Sequence, residues 1–296
     1  MTYQLLILYC RSHHLLLKCV VLIKLLNFSL FFVHKPNMHR LTQRLQHKTI
    51  IITGASYGIG ESLCYLLAEI DCNLILVART SDKLCELKKQ FAMSKAKVDI
   101  YVADLRDQKQ IDEFIKYIKT LPIDIFINNA GKSICRPIMQ SLDRLHDFER
   151  TIKLNYLAPV QLCLALIPKL QQSKGHIINV SAVNVLFAPT VNWSAYQASK
   201  SAFDQWLRSA MPELQNQQIK VSTVYLPLVK TRMIEPTKVY QNLPALQPKQ
   251  AAMIIGYLLQ TQKRQYKPWW AIIVQLASVL FNGIWFKLNC YYIKRK

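Results

Sequence analysis

Between residues 49 and 226, short runs of Ile, Val and Leu alternate with longer stretches in which apolar residues recur every three or four positions. The short runs predict strands at 49–53, 73–78, 98–103, 124–128, 176–181 and 220–226. They are rich in Ile and Val, the signature of strands buried in a parallel sheet. The longer stretches predict helices near 59–70, 82–93, 107–120, 143–171 and 196–214. This alternation predicts an α/β domain built on a doubly wound parallel sheet with right-handed crossovers. Ligands of such sheets bind outside the carboxyl ends of the strands.

Both ends depart from the pattern. Within residues 1–37, the apolar stretch 15–32 is divided by Lys18 and Lys24. Its longest uncharged run, 25–34, is shorter than the roughly 20 residues a bilayer span needs. No small-residue cleavage site follows. Two readings stand: a membrane-adhering extension, or translated upstream sequence ahead of a true start at Met38. At the other end, residues 268–286 carry no charge. As one helix after the proline they would run about 27 Å. Trp269 and Trp270 open the segment, Trp285, Tyr291 and Tyr292 stand toward its far end, and Lys294, Arg295 and Lys296 close the chain. Aromatic ends with basic flanks fit a membrane span or a helix lying in the interface. Gln275, Ser278 and Asn282 form one thin polar stripe, which favours a flat or partner-packed helix over a lone span. The alternative is a helix that covers the pocket of a soluble enzyme. The expected organisation is an extension at 1–37, a catalytic domain at 38–262 and a hydrophobic segment at 263–296.

The charge sharpens this division. The chain of 296 residues has a formal net charge of +21, yet residues 1–60 carry seven Lys/Arg and residues 236–296 carry nine, with no acid in either segment. These cations are interleaved with long apolar runs and show no zinc-finger spacing or base-reading helix. The expected partner is therefore a membrane surface and not a nucleic acid. Eight cysteines without a C-x-x-C pair fit reduced thiols in a cytoplasmic domain, associated with the membrane through its C-terminal segment.

The chemistry lies at the predicted strand ends. After strand 49–53 comes Gly54-Ala55-Ser56-Tyr57-Gly58-Ile59-Gly60, and then a helix. The glycines permit a tight turn, close approach of backbone to phosphate, and helix–strand packing. The helix N-terminus offers free N–H groups and a positive dipole end to a pyrophosphate. The second strand ends in Arg79, with no acid before Asp82. An arginine there suits a 2′-phosphate, so the expected cofactor is NADP(H). Asp104 and Leu105 follow the third strand and are candidates to bracket the adenine. Asn128-Asn129-Ala130-Gly131 closes the fourth, where glycine lets backbone approach a ligand and the asparagines can bridge strands.

Tyr196 and Lys200 are four apart in a helical stretch and share a face. A tyrosine of pKa about 10 is a poor base at neutral pH. An ammonium ~4 Å away, at an effective dielectric of ~20, favours the phenolate by about 4 kcal/mol, roughly three pKa units. That would make Tyr196 a working general acid for carbonyl reduction.

Thr53–Gly60, Asn128–Gly131, Asn155 and Tyr196/Lys200 resemble, in order and spacing, the motifs of the short-chain dehydrogenase/reductase family, a Rossmann-fold family; the resemblance covers about residues 46–260. It implies that Asn155 helps carry a water-linked proton relay through Lys200, and that dimers or tetramers are common. It also implies a serine on the substrate carbonyl, usually the second of a Ser-Ser pair about 13 residues before the tyrosine. This chain reads Ser181-Ala182, with Ala182 fourteen before Tyr196. Adjacent strand residues point to opposite faces, so Ser181 is expected to need a local shift; Asn184 and Ser194 are the fallbacks. Residues 141–150 and 226–238 resemble the bacterial fatty acyl-CoA reductase branch, which implies Thr231 on the nicotinamide amide and a substrate loop at 232–247. The expected function is NADP(H)-dependent reduction of a lipid-like carbonyl, a long-chain fatty acyl-CoA or aldehyde. The alternatives are a secondary-alcohol, 3-keto-lipid or steroid dehydrogenase, and a cofactor-binding member with weakened catalysis.

Overall fold

The computed structural model describes residues 33–237, 240 and 243–294. The apolar stretch 15–32, Lys238 and the terminal Arg295-Lys296 lie outside the described residues. In chain order the elements are α1 (Met38–Leu45), β1 (Thr49–Thr53), α2 (Gly58–Ala68), β2 (Asn73–Ala78), α3 (Ser81–Gln90), β3 (Lys97–Val102), α4 (Gln108–Lys119) and β4 (Ile125–Asn128). There follow α5 (Leu145–Ile152), α6 (Ala158–Ser173), β5 (His176–Ala182), α7 (Ser194–Asn216), β6 (Lys220–Leu226), α8 (Pro248–Thr261), β7 (Gln265–Tyr266), α9 (Trp269–Leu280) and α10 (Asn282–Lys294).

The strands form one parallel sheet in the order β3-β2-β1-β4-β5-β6-β7. The order reverses between β1 and β4, so the carboxyl ends of those two strands flank the crevice where ligands bind. The sheet is covered on both faces, which is why its strands read as unbroken apolar runs. On one face Ile50 and Ile52 share a core with Leu63 and Leu67 of α2 and Ile254, Ile255 and Leu258 of α8. On the other, Ile51 joins Phe114 of α4, Leu162 and Leu166 of α6, and Phe203 and Leu207 of α7.

The six expected strands stand within one residue of their predicted bounds, and β7, two residues long, is a seventh. Three helical regions differ from expectation. The single helix at 143–171 is α5 and α6 joined through a widened π-turn at Lys153–Leu157. Pro159 explains the break, because it has no N–H for the carbonyl of Asn155, so the preceding turn opens. Helix α8 was not among the expected helices, although Pro248 in its first turn and the reciprocal capping of Gln247 and Gln250 mark its start. The uncharged segment 268–286 is not one helix: α9 and α10 are bent by 95°. Phe281 between them leaves helical geometry (φ −109°, ψ 39°). Asn282 and Gly283 follow it, and both residue types are weak helix formers.

Residues 33–37 pack onto the domain. Asn37 caps α1, accepting from the Arg40 N–H (3.1 Å), while its own N–H donates to Gln260 Oε1 of α8 (2.7 Å). His34 stacks on Tyr257 with ring centroids 4.9 Å apart.

Candidate functional site

The glycine turn sits at the carboxyl end of β1. Gly54 and Gly58 have φ of +67° and +62°, the left-handed region that glycine enters without strain. A Cβ at Gly54 would stand 2.9 Å from Ala130 Cα, and one at Gly58 would stand 2.9 Å from Thr231 Cγ2. A Cβ at Gly60 would drive into the Gly54 carbonyl. The turn is therefore held between the end of β4 and the loop after β6. Ser56 within it is buried, Ile59 packs on the core, and the Tyr57 ring lies 4.2 Å beneath the Arg232 guanidinium. No side chain caps α2, so its first N–H groups face the turn without an intrahelical partner.

The end of β4 is tied to this turn. Thr53 Oγ1 accepts from the N–H groups of Asn129 (3.0 Å) and Ala130 (3.1 Å) and donates to the Ile127 carbonyl (3.2 Å). Asn129 Nδ2 donates to the carbonyls of Thr53 (2.9 Å) and Gly54 (3.1 Å). Asn128 is buried, and its amide donates to Asn179 Oδ1 of β5 (3.2 Å). The asparagines thus bridge strands as expected. The side chain of Asn128 is committed to the sheet, which leaves its backbone for any ligand.

At the far side of the crevice, Arg79 is exposed at the end of β2. Arg106 holds the Asp104 carboxyl below its ordinary range, overcoming partial burial, and Arg79 adds to the effect. Leu105, expected beside the adenine, instead turns into the core with Ala103 and Ile111. Burial first, then Arg150, Arg79 and Arg106, lower the Lys132 ammonium. Arg106 and Arg150 are paired with Asp104 and Asp147, which leaves Arg79 and Lys132 for an anionic group.

The second half of the site forms around Gly131. A Cβ there would meet Lys200 Nζ at 3.2 Å and Asn155 Oδ1 at 3.4 Å. Asn155 lies in the π-turn, buried, and accepts from the Lys132 N–H (2.9 Å). Its Nδ2 donates to the Lys132 carbonyl (2.9 Å) and to Ser199 Oγ (2.9 Å). Lys200 Nζ is buried and donates to the Val180 carbonyl of β5 (3.3 Å).

The expected lowering of the Tyr196 pKa by Lys200 is corrected here. Burial pushes the Tyr196 hydroxyl up to about 12, and burial also brings the Lys200 ammonium down to about 8. In both groups the loss of water is the cause of the shift, and the lysine is directed at the Val180 carbonyl. At neutral pH this leaves a protonated tyrosine beside a cationic lysine.

Ser181 is 5 % exposed, and its Oγ is a buried hydroxyl with no hydrogen-bond partner in the structure. Pairing with β6 stays regular through Ser181–Tyr225 and Ala182–Leu226, so the strand makes no local shift. Parity along β5 puts Ser181 on the face of Ile177, which packs with α7, opposite the face of Ile178 and Val180. Of the fallbacks, Asn184 Oδ1 is likewise buried without a partner, while Ser194 is exposed at the start of α7.

Several groups beside Tyr196 had no signal in the motifs. Trp193 meets the Tyr196 ring edge-on (5.9 Å) and stacks on Tyr240 (5.3 Å). Burial raises the Tyr240 hydroxyl, and Cys135, Tyr196 and Tyr292 add to that. Residues 183–193 hang from the C-terminal helices: Ser278 Oγ accepts from the Ala188 N–H (3.1 Å), Trp285 Nε1 donates to the Pro189 carbonyl (3.0 Å), and Asn289 Oδ1 accepts from the Val191 N–H (3.3 Å). Below, Asp147 gathers Arg136 (3.1 Å), Arg144 (3.1 Å) and Arg150. Burial alone would raise that carboxyl, but Arg144 and Arg150 outweigh it and hold it low.

The short chain dehydrogenase family matches residues 48–241. A fatty acyl-CoA reductase of Acinetobacter baylyi is 40% identical over 220 residues, 73% of this chain and 74% of that protein. A fatty acyl-CoA reductase of Mycobacterium tuberculosis is 37% identical over 245 residues, 82% of this chain and 83% of that protein. Among solved structures, a short-chain dehydrogenase of Sphingobium yanoikuyae in complex with NADPH superposes with a TM-score of 0.70 at 26% identity, covering 81% of this chain and 94% of that one.

Proposed function

Because the chain belongs to the short-chain dehydrogenase/reductase family, in which it stands closest to the fatty acyl-CoA reductase branch, we propose that it reduces a lipid-like carbonyl, a long-chain fatty acyl-CoA or aldehyde. The chain is an NADP(H)-dependent oxidoreductase. Bound NADPH supplies the hydride. The residues present fit it: the glycine turn ends in the uncapped N-terminus of α2, and Arg79 and Lys132 supply cations nearby. Arg79 would take the 2′-phosphate in this reading, and Thr231, which lies against the turn at Gly58, would hold the nicotinamide amide.

The observation that carries the catalytic assignment is the meeting of Lys200, Gly131 and Asn155 at the ends of β4 and β5. Tyr196 Oη donates a proton to the carbonyl oxygen as that oxygen gains charge; with an aldehyde this gives the alcohol, and with an acyl-CoA a hemithioacetal whose C–S bond breaks to release the coenzyme A thiol and leave the aldehyde. Lys200, cationic at neutral pH, favours the phenolate that results and holds the ribose. Asn155 fixes the Lys132 backbone and carries the relay behind Lys200. Ser181 Oγ, buried without a partner, donates to the substrate carbonyl and gains the hydrogen bond it lacks. The chain works in the cytoplasm, held at a membrane surface by its C-terminal segment.

NADPH oxidation should be measured with palmitoyl-CoA, hexadecanal, a 3-keto lipid and no substrate. Turnover is expected with the first two; turnover with the 3-keto lipid alone would overturn the substrate assignment. In the same assay, Arg79→Ala is expected to raise KM for NADPH about tenfold or more while leaving KM for NADH unchanged, since only NADPH carries the 2′-phosphate. An equal effect on both cofactors would remove Arg79 from that role.

A further inference from the structure

The α9–α10 pair presents two unlike sides. Its inner side is a narrow stripe: Ala271 and Ser278 are fully buried, and Trp285 and Asn289 are half-buried. Three of these four residues hold residues 183–193 through the hydrogen bonds described above. The exposed positions are mostly apolar: Ile273, Leu276 and Leu280 share one face of α9, with Leu280 at 73 %, and Ile284 and Leu288 share one face of α10. An exposed apolar surface of this continuity marks a docking face.

The occupant follows from charge and geometry. No acidic residue occurs after Glu235, and Lys287 and Lys294 are exposed on α10. The surface thus combines apolar side chains with cations alone, which matches an anionic bilayer. The helices have 12 and 13 residues, each about 18–20 Å long, and are bent by 95°. Neither reaches across a hydrocarbon core of about 30 Å. Trp269, exposed at the start of α9, suits the headgroup layer.

We propose that α9 and α10 form an in-plane docking surface for an anionic lipid bilayer, latched through Ser278, Trp285 and Asn289 to residues 183–193, so that bilayer binding orders the loop leading to Trp193 and Tyr196. The proposal rests on the reading above for what enters the site, but docking and ordering are read without turnover. The loop lies between the bilayer-facing helices and the catalytic tyrosine, so a carbonyl lipid dissolved in that bilayer has a short path to it.

The test uses the full chain with vesicles of phosphatidylcholine, with and without phosphatidylglycerol. The protein is expected to float with the anionic vesicles. A variant with Ile273→Glu, Leu280→Glu and Ile284→Glu is expected to stay unbound while keeping NADPH affinity. Amide exchange across residues 183–193 is expected to slow about tenfold on vesicle binding. In Ser278→Ala/Asn289→Ala, flotation persists and that slowing is lost. Absence of flotation, or flotation of the triple-Glu variant equal to the wild type, overturns docking. Flotation without slowed exchange in the wild type overturns the latch. A chain that floats and shows slowed exchange, yet reduces no lipid carbonyl, supports the docking surface and refutes the reaction assigned above.

Discussion

Tyr196→Phe is expected to lower kcat for NADPH-dependent reduction by about 10³-fold while NADPH affinity stays within about threefold, because a positioned general acid contributes 10²–10⁴-fold and the change removes one oxygen atom. The ring that meets Trp193 remains, so the local packing is retained. A hydroxyl pushed up to about 12 stays protonated across the working range, as a proton donor to the carbonyl must. Ser181→Ala should cost about 10²-fold, the loss of one donor to a developing oxyanion. Stopped-flow turnover together with NADPH fluorescence titration separates chemistry from binding. If Tyr196→Phe kept a tenth of wild-type turnover, the proton would come from elsewhere. If Ser181→Ala left turnover intact, the role would pass to Asn184, whose Oδ1 is also buried without a partner and can accept from a water or a substrate hydroxyl.

Local information decides what the sequence makes legible. A strand buried between two helical layers carries an unbroken apolar run, so Ile50–Ile52 and Leu74–Ala78 mark their strands without knowledge of their neighbours. The glycine turn is equally local, since its left-handed angles are demands of the turn itself. The π-turn at Asn155 is legible in hindsight through Pro159, four residues on, as is α8 through its cap. Contacts distant in sequence left no local trace. Tyr240 stacks on Trp193 from a loop 47 residues away, and Ser278 reaches Ala188 across 90 residues. Nothing in either segment signals the other. The pKa of Tyr196 was misjudged for a related reason: four-residue spacing places two side chains on one face, but burial depends on what other elements cover that face.

That burial gives Lys200 the second large effect. Its ammonium is held at about 8 in the folded protein, against 10.5 in a free chain. The folded value is the lower one, so between pH 8 and 10.5 the unfolded chain holds more protons and stability rises with pH. Below pH 8 both states are charged and the full penalty stands, about 3 kcal/mol. Lys200→Met removes the charge, but leaves the Val180 carbonyl without its donor, at a cost of about 1 kcal/mol. The variant is therefore expected to be more stable than the wild type by about 2 kcal/mol at pH 7, raising Tm by about 4 °C in a chain of this size, while losing turnover. The stability gain should shrink steadily as the pH is raised from 8 toward 10.5. The same titration sets the activity profile: wild-type kcat/KM for reduction should fall as the pH passes through about 8, where the cation that favours the phenolate is lost. Thermal unfolding of both proteins across that range is the direct check. A variant less stable at pH 7, or a difference that does not change with pH, would mean that the buried ammonium is stabilised by groups beyond the Val180 carbonyl, and that the enzyme does not give up stability to keep a charge beside Tyr196.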